Sequence, residues 1–281
     1  MSTGKKIFVV SGGTSGVGKA IATGLAKTGA TVAIIGRNEQ SGKETASQIS
    51  LHTRNPNVGH FVADLSLQSS IAQLSGEIKN KFDHIDGLIN AAGAIFFKKE
   101  MTIEGLDKSF AINYLSHFAL TGLLLETLKK TDSARVLTVG GAPMYLKNPK
   151  IALDDIQLDK NYNGMTAISQ AMFERVYFAL ELAHRLEGTG VTSNVFHPGL
   201  ISSNLVKNAP WWLKLITSFL RPWEKKDCEI GVYLATNKEV ENKNGLFFNS
   251  DKQIISLEKA FDAATGKKLW HITEELIKNI H

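Results

Sequence analysis

Short runs of β-branched residues alternate with helix-length segments through most of the chain, and this rhythm constrains the fold more than any other feature. The first two predicted strands, Ile7–Val10 and Thr31–Ile35, enclose a helical pattern around Ile21–Leu25, and another helix is expected from about Gln40. Five more strands are predicted at His60–Ala63, Gly87–Asn90, Arg135–Val139, Val191–Phe196 and Leu246–Asn249. Strands and helices in alternation form right-handed crossovers, so the sequence predicts a doubly wound α/β fold with a parallel sheet covered on both faces.

The 281 residues are expected to form a single domain spanning 1–281. The composition, 43% hydrophobic and 21% charged, is that of a globular protein and excludes a disordered or coiled-coil chain. No internal repeat, linker or low-complexity tract divides the sequence. The one clear insertion, Leu205–Asp227, lies between the sixth and seventh predicted strands.

The charge and the cysteine content of the chain indicate which classes of partner and which cellular compartment to expect. The net charge is +5, and the basic residues are scattered rather than striped, so nucleic-acid binding is not expected. Cys228 is the single cysteine and has no neighbours at metal-ligand spacing, which favours a reducing, cytoplasmic location and predicts no metal site. No run approaches the ~18 apolar residues of a membrane span.

A glycine-rich turn follows the first predicted strand and reads Ser11-Gly12-Gly13-Thr14-Ser15-Gly16-Val17-Gly18. Glycines allow the backbone to approach a pyrophosphate closely, and the free N–H groups at the start of the next helix hold its charge. A tight strand-to-helix turn without any ligand would have the same pattern. The turn therefore indicates a dinucleotide site only together with other features.

The residues after the second predicted strand indicate which dinucleotide would bind. NAD enzymes carry an acidic residue here for the ribose 2′-hydroxyl, whereas this chain has Gly36-Arg37-Asn38. An acid would repel a 2′-phosphate and Arg37 would attract it, so NADP(H) is predicted in preference to NAD. The alternative is that Arg37 is a solvated arginine at the end of a strand.

The spacing Gly12-x-x-x-Gly16-x-Gly18 resembles the short-chain dehydrogenase/reductase family, and further motifs of that family follow in order along almost the whole chain. The retinol-dehydrogenase-like branch is the most similar, judging by the segments 181–186 and 197–199. The resemblance implies a Rossmann fold. It also implies a set of cofactor-contacting residues, namely Asp64-Leu65, Asn90-Ala91-Ala92-Gly93 and Pro198-Gly199 with Ser203.

The resemblance further implies a proton-transferring tyrosine, activated by a lysine four residues later and positioned by a serine. One helical turn places the ammonium beside the phenol, and without it a tyrosine of pKa about 10 is a poor acid or base at neutral pH. No tyrosine of this chain has a lysine four residues later; the five are Tyr114, Tyr145, Tyr162, Tyr177 and Tyr233.

Family spacing from Pro198 places the tyrosine position at Ile168 and the lysine position at Met172. The serine position falls at Gly141, after the fifth predicted strand. Of the four family positions only Asn113 remains, and it supplies no general acid. Loss of general acid–base catalysis costs about 10²- to 10⁴-fold, so the ordinary mechanism should be nearly abolished.

Three functions stay open at this point. The chain is a pseudoenzyme that binds NADP(H) and an apolar ligand, or an oxidoreductase with another proton route, or a non-redox enzyme that uses the same apolar pocket. For the second, the candidates are Tyr145, on the loop past Gly141 with Lys147 beside it, a water held near Asn113, and His197. Alternatively, Tyr145 is a packing or surface residue.

Two further regions suggest partners. The long predicted helices Ile103–Lys130 and Met165–Glu187 are the pair through which relatives form a four-helix interface, so a homodimer or tetramer is expected, with both faces packing internally as the alternative. The apolar area on the second helix comes from Phe173, Tyr177, Phe178 and Leu182. The aromatic segment Ala209–Trp223 is expected to form a lid over the pocket; packing on the domain and attachment to a membrane are the alternatives.

Overall fold

The computed structural model describes residues 4–201, 225–257 and 260–278. Their strands form a single sheet of order β3-β2-β1-β4-β5-β6-β7-β8, in which every neighbouring pair is parallel except the last. The strands are β1 Ile7–Ser11, β2 Thr31–Gly36, β3 Val58–Val62, β4 Gly87–Asn90, β5 Ala134–Val139, β6 Val191–Phe196, β7 Phe247–Phe248 and β8 Ile254–Ile255. The predicted doubly wound α/β fold is thus confirmed.

Helices follow the strands in the expected alternation. They are α1 Gly16–Lys27, α2 Glu39–Thr53, α3 Gln68–Lys81, α4, α5 Gly164–Arg185, α6 Glu229–Thr236 and α7 Ala263–Lys278. The fourth helix, α4, is continuous but has three parts, an α-helical start at Lys108–Phe110, a π-helical turn at Ala111–Leu115 and an α-helical remainder at Ser116–Leu128.

Each face of the sheet buries its own apolar layer because successive strand residues point to opposite sides. On β1, Val9 packs into the layer formed with α3, α4, α5 and α7. Its neighbours Phe8 and Val10 pack into the layer formed with α1, α2 and α6. Both layers are continuous, as a sheet covered on both faces requires.

The strand order reverses beside β1, which lies between β2 and β4. In open α/β sheets a ligand binds outside the carboxyl ends of the strands at such a switch point. The glycine-rich turn leaves β1 at this position, and the segment 90–93 leaves β4 beside it. The fold therefore assembles the candidate site from loops that are far apart in sequence.

The C-terminal helix α7 and Phe261, which precedes it, cover the face that was expected to meet a partner chain. Phe173 and Tyr177 pack against Phe261, with ring centroids 6.4 and 4.7 Å apart, and Phe178 stacks on Trp270 at 6.0 Å. Leu182 is buried in the same cluster. All four expected interface residues are therefore buried within the chain, and this part of the interface expectation is corrected.

Two expectations fall on residues 202–224, which lie outside the described part of the chain: the aromatic lid and Ser203. Within the described ranges, no helix is both long and apolar enough to cross a membrane. The strand pair β7–β8 is the one antiparallel pair in the described sheet. Its second strand was not predicted, because two residues are too few to show an alternating pattern.

Candidate cofactor and active site

The glycine-rich turn is built so that no side chain could replace its glycines. Gly12 has a φ of +65°, and a Cβ atom there would lie 2.8 Å from the Cα of Ala92. A Cβ on Gly18 would collide with the carbonyl group of Gly12. The turn consequently holds the start of α1 close to both β1 and the loop after β4.

Helix α1 begins at Gly16 with its N-terminal amides unclaimed by a capping side chain. Ser15 is the N-cap residue and has extended backbone angles, but its hydroxyl makes no cap hydrogen bond. The first turn carries no acidic residue. A helix start of this kind presents N–H groups and the positive end of the helix dipole to an anion.

The ends of β1 and β4 are tied together by Ser11. Its hydroxyl oxygen accepts hydrogen bonds from the amides of Ala91 and Ala92 at 3.0 and 3.2 Å. Asn90, the last residue of β4, is fully buried and donates from Nδ2 to the hydroxyl of Thr121 at 2.9 Å. These bonds fix the loop 91–93 beside Gly12.

The residues expected to contact the adenosine part of the cofactor differ in their exposure and in their hydrogen bonds. Arg37 is exposed directly after β2, where Gly36 leaves no room for a side chain because a Cβ would meet Thr14. Asn38 caps α2 by accepting a hydrogen bond from the amide of Ser41 at 2.8 Å. Asp64 likewise accepts from the amide and the hydroxyl of Ser66, and Leu65 is buried. Asn38 and Asp64 thus also stabilise their own loops.

Asn113 lies within the π-helical turn of α4 and faces the loop after β4. Its Nδ2 donates to the carbonyl oxygen of Ala94 at 2.8 Å and to the hydroxyl of Ser109 at 3.2 Å. Its Oδ1 accepts from the amide of Ala94 at 2.9 Å. A π turn inside an α-helix frequently marks a functional site, and here it brings Asn113 to the same edge as the glycine-rich turn.

Gly141 and Met172, the residues expected at the serine and lysine positions, lie side by side. A Cβ atom on Gly141 would lie 2.6 Å from Sδ of Met172, so the thioether fills the space that a side chain at 141 would need. Ile168 lies one helical turn before Met172 on α5. The predicted positions are therefore neighbours in space, and the residues that occupy Gly141 and Met172 pack against each other.

Arg175 is a site residue that the sequence analysis missed. Its Nη2 donates to Oδ1 of Asn113 at 2.9 Å and to the carbonyl oxygen of Ala92 at 3.3 Å. Its Nη1 reaches the carbonyl oxygen of Val139 at 3.4 Å, and its Nε donates to the main-chain carbonyl of Asn113. A signal existed, since Arg175 stands three residues after Met172 in an otherwise apolar row of α5.

Glu174, the residue before Arg175, is also buried and was not singled out by the sequence. It is 1% exposed, and its Oε1 accepts a hydrogen bond from Nε2 of Gln170 at 3.0 Å. Burial raises the pKa of the Glu174 carboxyl to about 8, because the charged form is desolvated. Burial also lowers the pKa of Arg175 to about 10, although the Glu174 charge opposes this shift.

The two candidate substitutes for the proton donor differ in their surroundings. Tyr145 ends a short 3₁₀ turn after β5 and is 63% exposed. The amide of His197 donates to the carbonyl oxygen of Phe248 at 2.8 Å, and burial lowers the pKa of its imidazole. Burial therefore disfavours the charged form of His197. Gly199 follows Pro198 with a φ of +79°, which makes a sharp turn at the carboxyl end of β6.

Comparisons with known proteins agree with this geometry. A family model described as "short chain dehydrogenase" matches residues 6–145. Human polyprenol dehydrogenase is 33% identical, and the match covers 94% of this chain and 83% of the relative. Bovine retinol dehydrogenase 12 is 34% identical, with 97% of this chain and 86% of the relative covered.

Solved structures share the fold. An uncharacterised protein from Mycobacterium paratuberculosis superimposes with a TM-score of 0.76 at 26% identity, covering 99% of this chain and 95% of that one. The Pseudomonas aeruginosa RhlG/NADP complex superimposes with a TM-score of 0.69 at 22% identity, covering 88% and 95%. The overall fold thus has counterparts among solved structures.

Proposed function

Because the chain belongs to the short-chain dehydrogenase/reductase family, we propose that it binds NADP(H) but no longer supports the proton transfer of that family. One observation supports the second half of the proposal: Gly141 and Met172, at the positions where the sequence analysis expects the family's serine and lysine, pack against each other. On this view the chain is a pseudoenzyme, an NADP(H)-dependent binding or regulatory protein.

The proposal that the chain binds NADP(H) rests on the backbone of the glycine-rich turn and the start of α1, a cradle whose shape suits a pyrophosphate. Gly12, Gly18 and Gly36 stand where a Cβ atom would collide with neighbouring atoms, and the amides at the start of α1 are free of side-chain caps. Arg37 is exposed directly after β2, and its guanidinium would attract a 2′-phosphate. NADP(H) would supply hydride transfer, and RhlG, a structural neighbour, was solved with NADP.

The proposed ligand is apolar. The relatives at 33% and 34% identity are dehydrogenases named for polyprenol and retinol. On this chain, exposed apolar side chains lie on loops and helix ends at the same edge as the glycine-rich turn, namely Met144, Tyr145, Met165 and Leu200. Exposed apolar surface beside a cleft marks a binding site for apolar partners.

We expect the protein to bind NADPH at least about tenfold more tightly than NADH. A charge-assisted hydrogen bond to the 2′-phosphate contributes about 1.5–3 kcal/mol, and each 1.4 kcal/mol is a tenfold change in affinity. Calorimetric titration of the wild type and of Arg37→Asp measures this preference, with Arg54→Asp as a charge-matched control. Equal affinities in the wild type, or an unchanged preference in Arg37→Asp, would contradict the assignment.

We also expect little reduction of aldehydes, ketones or retinoids with NADPH. The second candidate function, an oxidoreductase with a relocated donor, is favoured by the position of Tyr145 only four residues beyond Gly141 on the loop after β5. Tyr145→Phe distinguishes the two. Turnover that disappears in Tyr145→Phe supports the relocated donor, whereas robust turnover that survives this change contradicts both readings.

The remaining parts of the proposal concern assembly and location. A cytoplasmic homodimer or tetramer is proposed; the location rests on the single cysteine, and the assembly on the long helices that the family resemblance gives as an interface. Because α7 covers the outer face of α5, such an oligomer would have to use another surface. Sedimentation of the purified protein at two concentrations tests the assembly, and a monomer at both would contradict it.

A further inference from the structure

We propose that Arg175 closes Asn113 to solvent and thereby removes the last family position from any water-mediated proton route. This inference rests on the proposed function, because it concerns the same site and explains why Asn113 alone does not sustain catalysis. Its direct evidence is nevertheless independent of activity. It consists of the hydrogen bonds that protein groups make with every polar atom of Asn113.

The side-chain amide of Asn113 is saturated by protein partners. An asparagine side chain has two N–H donors and two acceptor sites on its oxygen. Both donors are used, by the carbonyl of Ala94 and the hydroxyl of Ser109, and the oxygen accepts from the amide of Ala94 and from Nη2 of Arg175. A water could join this amide only by displacing one of these groups.

The main-chain carbonyl of Asn113 is occupied as well. It accepts a hydrogen bond from Nε of Arg175, so one guanidinium covers both oxygen atoms of the residue. Above them, a Cβ atom on Gly93 would lie 3.1 Å from Nη2 of Arg175 and 3.2 Å from Oδ1 of Asn113. The guanidinium thus fills the space between α5, the π turn and the loop after β4.

Displacing Arg175 would be costly. Its remaining bonds to the carbonyls of Ala92 and Val139 anchor it to the ends of β4 and β5. Hydrogen bonds from a charged donor are stronger than neutral ones, and a guanidinium pulled away from them inside the protein would lose several at once. Arg175 is therefore a positioning residue that holds Asn113 in a closed state, and it carries no proton itself.

A crystal structure of the wild type and of Arg175→Ala tests the closure directly. In the wild type we expect no ordered water within hydrogen-bond distance of either oxygen of Asn113. In Arg175→Ala the vacated space is lined by three carbonyl groups, so at least one water is expected there. A water already bound to Asn113 in the wild type, or a variant whose Asn113 stays dry, would overturn the proposal. If Arg175→Ala does not fold, the wild-type structure alone decides it.

An activity experiment separates this inference from the proposed function. The triple variant Gly141→Ser, Ile168→Tyr and Met172→Lys should stay near background with NADPH and an apolar aldehyde. Adding Arg175→Ala should raise its rate at least tenfold, because Asn113 regains access to water. The control adds Arg135→Ala instead, which removes a buried arginine that donates to the carbonyl of Leu234 on the other side of the sheet.

The outcomes are distinct. If the triple variant is as active before Arg175→Ala is added as after it, the closure of Asn113 is contradicted. The pseudoenzyme proposal is then left intact. Turnover by the unmodified wild type would contradict the pseudoenzyme proposal, while the waters at Asn113 would still decide the closure. An equal rise with Arg135→Ala would show that loosening the fold, and not opening Asn113, is the cause, and would also overturn the inference.

Discussion

The wild type is expected to lose stability as the pH rises from about 4.5 to 8. Glu174→Gln is expected to remove most of this loss, so that the variant is more stable than the wild type above neutral pH. Glu174 is almost fully buried, and its carboxylate accepts a hydrogen bond from one N–H group of Gln170. The adjacent guanidinium of Arg175 is directed to Asn113 and not to this carboxyl. Desolvation therefore dominates, and the pKa of Glu174 rises from 4.5 to about 8.

The sign of the effect follows from proton linkage. Between pH 4.5 and 8 the folded protein keeps the Glu174 proton, whereas the unfolded chain loses it, so the folded state binds more protons. The stability associated with the protonated carboxyl is fully present below pH 4.5 and is lost as the pH rises towards 8. The slope of the unfolding free energy is at most about 1.4 kcal/mol per pH unit.

Urea unfolding of the wild type and Glu174→Gln at intervals from pH 5 to pH 9 measures this difference. The two proteins should have similar stability near pH 5 and diverge by several kcal/mol by pH 8. Glu77→Gln, which removes a charge from the exposed side of α3, is the control and should follow the wild type. A wild type whose stability does not fall relative to Glu174→Gln would show that the buried carboxyl is ionised and paired in the folded state.

The parts of the structure that periodicity encodes were predictable from the sequence. Strand and helix alternation predicted seven strands of the parallel sheet and both long helices, because burial on both faces forces continuous β-branched runs. The helix boundaries differed from the predictions where a capping residue sets them. The first long helix was expected from Ile103 and begins at Lys108, after the N-cap residue Asp107. The second was expected from Met165 and begins at Gly164, after the N-cap residue Asn163. Family spacing also selected Gly141 and Met172 separately, and the structure shows that these two residues are in contact.

The parts that depend on contacts distant in sequence were not predictable. Arg175 looks like a misplaced charge in an apolar row until the fold brings Asn113 and the ends of β4 and β5 to it. The π turn has no periodic signal of its own, because it adds one residue to an otherwise regular helix. The sequence predicted that the apolar face of α5 packs either against a partner chain or against another part of the same chain. The position of α7 distinguishes these two alternatives.

Trp270→Ala is expected to lower the free energy of unfolding by about 3 kcal/mol, because Trp270 makes aromatic contacts between α7 and the rest of the domain. Its ring lies 4.6 Å from that of Phe118 and stacks on Phe178, and the guanidinium of Arg185 lies 4.4 Å from its centroid. Aromatic and cation–π contacts of this kind add to the loss of buried area.

The same variant tests whether α7 takes the place of a partner chain. Loosening α7 exposes the apolar side chains of α5 that it covers, including Tyr177 and Phe178, and exposed apolar area of this kind favours association. Sedimentation should therefore show that Trp270→Ala associates more strongly than the wild type at equal concentration. The control is Lys267→Ala, on the exposed side of α7, which should match the wild type in stability and in mass. If Trp270→Ala were as stable as Lys267→Ala and no more associated, α7 would be a peripheral helix, and the face of α5 would again be open to a partner.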